Sequence, residues 1–174
     1  PEDNTIWVGT QRDGISIFDV GNQTFETLDV YSGLITNDVT DLKMAADGGI
    51  WITHYHLGID HYDRKTKKIE CYSTSNVKGF TGRNWTSCDD RKGHLYVGHV
   101  SDGLSIIDLK ARTCENFRHS PDNPKSIPSN TVHAIFIDSA ERIWVGTENG
   151  LALFNPATKE FTTFRNQPNN PNSL

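Results

Sequence analysis

The sequence predicts an all-β fold, a β-propeller of about four tandem four-stranded antiparallel blades that form part of a larger propeller. Three observations predict it. An aromatic residue recurs at positions 7, 51, 96 and 144, at intervals of 44, 45 and 48 residues. Each repeat consists of short runs rich in Ile, Val, Phe, Trp and Thr, separated by Gly, Asp and Asn. No run keeps a helical period, so four strands per repeat and almost no helix are expected.

The first two strands of each repeat, A and B, are apolar. Strand A is expected at Val39–Met44, Trp85–Cys88 and Val132–Ile137, and strand B follows after a tight turn. Strand B is apolar on both faces, as a sheet covered on each side by another sheet requires. We expect its aromatic residue to fill the space between neighbouring blades. The four aromatic residues are Trp7, Trp51, Tyr96 and Trp144.

The last two strands, C and D, follow a glycine at a nearly fixed position. Strand C begins at Gly14-Ile15, Gly58-Ile59, Gly103-Leu104 and Gly150-Leu151. An Asp or Asn then marks a turn, and strand D follows it. In the fourth repeat the strands are expected at Val132–Ile137, Arg142–Thr147, Gly150–Phe154 and Glu160–Phe164.

The whole chain, residues 1–174, is expected to form one propeller segment with approximate blades at 1–30, 31–75, 76–120 and 121–174. The first blade is expected to lack strand A, because only five polar residues precede Ile6. Residues 164–174 match 117–127 without a gap, and the earlier copy leads directly into a strand A. The sequence therefore predicts an arc of a longer propeller and not a closed ring.

Composition excludes several classes of protein. Lys and Arg number 17 against 22 for Asp and Glu, a net charge of −5, which disfavours nucleic acid as a partner. No apolar run reaches the roughly 18 residues of a membrane-spanning helix. The odd number of cysteines without metal-ligand spacing favours three small buried apolar residues, Cys71, Cys88 and Cys114. No cofactor is expected.

The pattern at residues 138–164 resembles the two-component regulator propeller repeat. There an Asp turn precedes Ile-Trp-Val-Gly-Thr, and Asn-Gly-Leu-x-x-Phe-Asn-Pro-x-Thr-x-x-Phe follows. The second repeat departs from this pattern with Thr53-His54, and the third with Gly98-His99 and a residue fewer after Trp85. The resemblance implies the periplasmic sensor portion of an inner-membrane hybrid histidine kinase that senses carbohydrate. Kinase activity is then expected only in other domains of the parent protein.

Recognition is expected on one face of the propeller. The A–B and C–D turns are short and of ordinary turn composition, whereas the D–A loops are long and irregular. These loops run from Asp29 to Asp38, Ser73 to Asn84 and Arg118 to Thr131. With the B–C tips they form what we call the loop face, the expected position of a ligand site.

Planar polar groups and aromatic rings on the loop face have the chemistry that holds a sugar. Arg83 is aligned with Asn37 and Asn130, and Trp85 with Val39 and Val132. A surface ion pair for Arg83 and core packing for Trp85 are the competing interpretations. The candidate ligand-binding residues are Arg12, His54, His56, Arg83, Trp85, His99 and Glu148.

The histidines admit several interpretations. His54 and His99 occupy equivalent positions at the end of strand B, and His56 lies two residues after His54. The sequence leaves four interpretations open: a metal site, an acid–base pair, ligand hydrogen bonding or plain surface histidines. No carboxylate at fixed spacing completes a ligand set, and neither a catalytic nor a metal residue is assigned. His61 stands where the other C strands have apolar residues, which favours a satisfied core histidine.

Two other functions remain open from the sequence. A propeller enzyme, a lyase or glycoside hydrolase, could bring paired carboxylates together across space, although no nucleophile elbow or phosphate-binding glycine loop is present. A protein-binding scaffold or homodimer could pair through an open sheet edge. The preferred hypothesis is a sensor segment whose partner is an oligosaccharide or another small ligand.

Overall fold

The computed structural model describes residues 4–171 and 173–174, and it confirms the predicted all-β propeller architecture. Fifteen strands form four separate antiparallel sheets in which sequential strands pair. The described residues include a single short helical element, the 3₁₀ turn Val30–Ser32. Asp29 caps this turn by accepting hydrogen bonds from the backbone N–H groups of Tyr31 and Ser32.

The strands follow the predicted order in every sheet, and those predicted for the fourth repeat begin and end within one residue of those observed. The first sheet contains β1 (Thr5–Gly9), β2 (Ile15–Asp19) and β3 (Thr24–Leu28). The second contains β4 (Val39–Met44), β5 (Ile50–His54), β6 (Gly58–Tyr62) and β7 (Ile69–Ser73). The third contains β8 (Asn84–Asp89), β9 (His94–His99), β10 (Leu104–Asp108) and β11 (Thr113–Phe117). The fourth contains β12 (Val132–Ile137), β13 (Ile143–Thr147), β14 (Gly150–Asn155) and β15 (Glu160–Phe164).

The glycine before each strand C is explained by a close backbone approach. A Cβ atom at Gly14, Gly58 or Gly103 would lie 2.1 to 2.3 Å from a carbonyl oxygen at the end of strand D. At Gly150 the corresponding distance is 2.5 Å. No side chain fits at these separations, so the repeated glycine lets the hairpin close against its neighbouring strand.

The core consists of three apolar layers, one between each pair of neighbouring sheets. Trp7 packs against the first layer, and Trp51 and Tyr96 are buried in the second and third. This confirms inter-sheet packing for three of the four repeated aromatic residues. Trp144 instead lies on the outer face of the fourth sheet, where it contacts Phe164.

The register of the third sheet corrects two sequence alignments. A β-bulge interrupts the A–B pairing of each four-stranded sheet, and the residue in the bulge is Thr40, Trp85 or His133. Trp85 is therefore equivalent to Thr40 and His133, and not to the valines with which it was aligned. Arg83 is equivalent to Asp38 and Thr131, one position later than expected. The strand begins one residue earlier than the apolar run, because Asn84 takes the buried position of those valines.

The cysteines are partly buried free thiols and form no disulfide among the described residues. Burial raises the pKa of each thiol above its ordinary value, and that of Cys71 to about 11, to which the nearby Asp60 carboxylate also contributes. Neutral, weakly reactive side chains of this kind agree with the structural interpretation.

Candidate functional site

Backbone hydrogen bonds tie the B–C tips to the starts of the A strands on the loop face. Asn84 N–H donates to the Tyr55 carbonyl at 3.1 Å, and Gly103 N–H donates to the Asn130 carbonyl at 2.8 Å. Each of these bonds links one sheet to the next. The loop face therefore presents its side chains from a backbone that is fixed in position between sheets.

Five of the seven candidate residues are exposed on this face. Arg12, His56 and Glu148 stand at B–C tips, and Arg83 stands at the entrance to β8. Trp85 is 43% exposed, because the bulge turns its side chain out of the apolar layer. Among the described residues no hydrogen bond or ion pair connects these five side chains, so they provide separate contact points around the face.

The structure corrects the expected surface position of His54 and His99. Both side chains are 0% exposed and lie beneath the loop face. Each turns into its own sheet and bonds to the polar side chain on strand C: His54 Nε2 lies 2.9 Å from Asp60 Oδ2, and His99 Nε2 lies 2.6 Å from Ser105 Oγ. In this position the rings support the face and do not touch a ligand on it.

The ring of His99 packs so closely against Gly82 that no side chain fits at residue 82. A Cβ atom on Gly82 would lie 2.6 Å from His99 Nδ1. Burial lowers the pKa of His99 to about 4, and the partly opposing Asp102 carboxylate does not offset this. The ring is therefore neutral at pH 7 and acts as a hydrogen-bonding group.

Acid is expected to weaken the fold through His99. The folded pKa of about 4 lies below the ordinary value of 6.5, so the unfolded chain takes up the proton first as the pH falls. This contribution should reduce the free energy of unfolding by about 2–3 kcal/mol between pH 7 and pH 4. The matched variant is His99→Thr, because the first and fourth repeats have Thr10 and Thr147 at this position. Urea unfolding across that pH range should show a smaller loss of stability for this variant than for the unchanged protein. Identical pH slopes for the two proteins would contradict the assignment.

His54 and Asp60 belong to a buried polar network centred on the second sheet. Their side chains lie on its face towards the first sheet, beside Ile52, and Asn84 joins the network from the third sheet. Asp60 Oδ2 also accepts the Ile35 N–H at 2.9 Å. Asn84 Nδ2 donates to the His54 carbonyl at 3.0 Å and to the Gly58 carbonyl at 3.2 Å. This network fixes the entrance of β8, and therefore the position of Arg83, relative to the preceding hairpin.

Two further hydrogen bonds cross between the second and third sheets, and sequence reasoning missed them. Thr53 and Ser87 hydroxyls lie 2.7 Å apart, and Thr86 Oγ1 donates to Asp41 Oδ2 at 2.6 Å. Four buried polar atoms have no partner among the described residues: His54 Nδ1, Asp60 Oδ1, Asn84 Oδ1 and His99 Nδ1. The available signal was a polar residue in the middle of a predicted strand, as at Asp60, Ser87 and Ser105.

His61 confirms the core interpretation. Its ring packs on Trp51 with centroids 4.6 Å apart, and its Nε2 lies 3.2 Å from Asp47 Oδ1.

Within residues 4–171 and 173–174, no group of three His, Cys, Asp or Glu side chains is arranged to hold a metal ion. The five exposed candidate residues thus offer donors, an aromatic ring and one carboxylate, which suit reversible binding of a polar ligand.

No helix in the described part of the chain has the length and apolar character needed to cross a membrane.

The family comparison identifies the repeat. A model described as two component regulator propeller matches residues 126–149, which include the end of the third D–A loop, β12 and β13. The chain carries the two-component regulator propeller repeat. The same repeat pattern recurs along the sequence in the other three sheets.

Two solved structures resemble this chain. It is 36% identical, over 93% of its length, to the extracellular domain of the putative hybrid two component system BT3049 from B. thetaiotaomicron, with a TM-score of 0.84. The extracellular domain of the putative hybrid two component system BT4673 shares the fold, with 16% identity, 100% coverage of this chain and a TM-score of 0.76. The chain spans 22% of each of these structures.

A curated relative carries a kinase name. The chain is 29% identical over 157 residues to "Histidine kinase P4" of Formosa agariphila. The match includes 86% of this chain and 11% of that protein. The propeller therefore resembles part of the extracellular domain of a putative hybrid two component system.

Proposed function

We propose that the chain is part of the periplasmic sensor propeller of a hybrid two-component regulator, which recognises carbohydrate and signals to a kinase domain elsewhere in its parent protein. One observation carries the proposal: the likeness at 36% identity and a TM-score of 0.84 to the extracellular domain of a putative hybrid two component system. The chain itself is proposed to be non-enzymatic.

The loop face supports recognition of a sugar. The Arg83 guanidinium can donate to two hydroxyl groups at once, and the exposed Trp85 ring offers an apolar surface to the C–H groups of a sugar ring. The hydrogen bonds of Asn84 to the preceding hairpin hold the backbone between Arg83 and Trp85 in place. Ligand binding here would change the packing of neighbouring sheets, which are joined at this level, and so favour one state of a distant domain.

Calorimetric titration with a panel of oligosaccharides tests the proposal. We expect one or more glycans to bind, and the Arg83→Ala variant to bind at least about tenfold more weakly, because hydrogen bonds to a charged donor contribute roughly 1.5–3 kcal/mol. Lys110→Ala is the matched control, because it removes one exposed positive charge from a C–D turn on the opposite face. Absence of binding across the panel, or equal weakening by both variants, would overturn the proposal.

A further inference from the structure

The interface between the third and fourth sheets contains a larger cleft than the other interfaces between sheets. Its volume is about 560 Å³, against about 180 Å³ for the corresponding space between the second and third sheets. A volume of this size lies in the range of small-molecule sites. The cleft opens among the A–B and C–D turns, away from the loop face. Its apolar walls are formed by Tyr96, Ile106, Phe117, Ile143, Phe154 and Pro156.

Two substitutions within the repeat account for the difference. Tyr96 stands where the other three sheets have tryptophan. Between the second and third sheets, Trp51 Nε1 donates to Asp89 Oδ2 at 2.6 Å and closes the interface. In the fourth sheet, Ile137 occupies the position that Asp89 has in the third sheet. The interface between the third and fourth sheets therefore lacks both the tryptophan donor and the carboxylate acceptor of this bond.

Tyr96 carries a polar group that the fold leaves unused. Its side chain is 3% exposed, and its ring packs edge-on against Phe154 with centroids 6.4 Å apart. Among the described residues, its hydroxyl has no hydrogen-bond partner, although Tyr96 lines the cleft. Burial, with the Asp90 carboxylate as a smaller cause, raises the pKa of Tyr96 to about 12, so the hydroxyl stays protonated and can both donate and accept. A hydroxyl at the wall of a cleft without a partner in the protein is available for hydrogen bonding with a ligand.

The charges at the mouth select the kind of ligand. Two ion pairs join the third sheet to the fourth at the mouth of the cleft. Lys92 Nζ lies 2.6 Å from Glu141 Oε2, and Lys159 Nζ lies 2.6 Å from Glu115 Oε1. Asp90 and Asp108 add two further carboxylates beside His94. Both lysines are already paired and carboxylates are in excess, so an anionic group would be repelled. The mixed donors and acceptors suit hydroxyl groups.

We propose that this cleft, between the third and fourth sheets, is a second ligand site that binds one neutral saccharide unit, with Tyr96 as a contact residue. The apolar walls of the cleft pack against the C–H groups of the sugar. The hydroxyl of Tyr96 and the charged groups at the mouth form hydrogen bonds with the sugar's hydroxyl groups. The choice of a sugar rests on the proposed carbohydrate sensing, whereas the cleft and the selection against anions rest on its own residues. A ligand held by both sheets would stabilise their present packing.

The test titrates the chain with glucose, galactose, mannose, xylose and arabinose, and with glucuronic and galacturonic acids. At least one neutral sugar should bind, and neither acid should. Tyr96→Phe should weaken that binding about three- to tenfold, because one hydrogen bond is lost. Its melting temperature should not change, since the hydroxyl has no partner in the protein. Tyr96→Trp restores the residue of the other three sheets, so it should fill the cleft and abolish binding.

Tyr62→Phe is the matched control, because Tyr62 is a 2% exposed tyrosine in another sheet that does not line the cleft. It should leave sugar affinity unchanged. If the chain binds oligosaccharides and responds to Arg83→Ala but not to either Tyr96 variant, the second site is wrong and the proposed function stands. Stronger binding of the uronic acids than of the neutral sugars would also overturn the second site. If no glycan binds at all, the proposed function and this inference fail together.

Discussion

Gly103→Ala is expected to destabilise the chain by about 2–5 kcal/mol. The φ angle of Gly103 is +79°, where a side chain costs about 1–2 kcal/mol. An added Cβ would also lie 2.1 Å from the Phe117 carbonyl oxygen, and relief of such a contact in a packed region costs about 1–3 kcal/mol. Strands β10 and β11 would have to separate at this end. Urea unfolding followed by circular dichroism measures the effect.

Gly93→Ala separates the two causes. Gly93 also has a positive φ, +101°, but no atom lies within 4 Å of the position that a Cβ would take there. Only the conformational cost of about 1–2 kcal/mol is expected for this variant. If both variants lose the same stability, the close approach of the hairpin to strand D does not explain the repeated glycine.

Asp60→Ala is expected to cost about 3–5 kcal/mol, because it removes one member of a fully buried pair. The change leaves the Nε2 atom of His54 and the N–H of Ile35 without an acceptor. The loss should appear as a lower urea midpoint at pH 7 with an unchanged dependence on denaturant. The pair lies within the second sheet, so the folded variant should keep the structure of the other three sheets.

The fourth sheet supplies the control for this pair. It has Thr147 and Ala152 where the second sheet has His54 and Asp60. His54→Thr combined with Asp60→Ala should therefore recover much of the stability that Asp60→Ala loses, since no buried imidazole then remains unpaired. A double variant less stable than either single variant would show that the pair is not the coupled unit described here.

Strand positions were predictable because they depend on local pattern. The alternation of apolar runs with Gly, Asp and Asn, repeated four times, placed β12 to β15 within one residue of their observed ends. The repeated glycine was visible as well, although its cause was not. That cause is a carbonyl oxygen of a strand about 14 residues later in the chain, for example Phe117 beside Gly103.

The candidate site was less predictable because side-chain direction depends on the bulge. One residue inserted in strand A reverses the faces of the residues before it, so Trp85 is exposed and Asn84 is buried. His54 and His99 were placed on the surface because they end a strand. The partners that hold them inside, Asp60 and Ser105, come six residues later and were not recognised as acceptors.

The sequence by itself determined the repeat, the four-strand unit and the resemblance to a regulator propeller, because periodic burial and turn chemistry act over a few residues. Only the tertiary structure decided which polar side chains are exposed on the loop face and which support the fold from inside. It also revealed the cleft at Tyr96, since this cleft depends on a hydrogen bond that is missing between positions 41 residues apart, Tyr96 and Ile137. Contacts between neighbouring sheets, and not local propensity, therefore determine where this propeller is closed and where it is open.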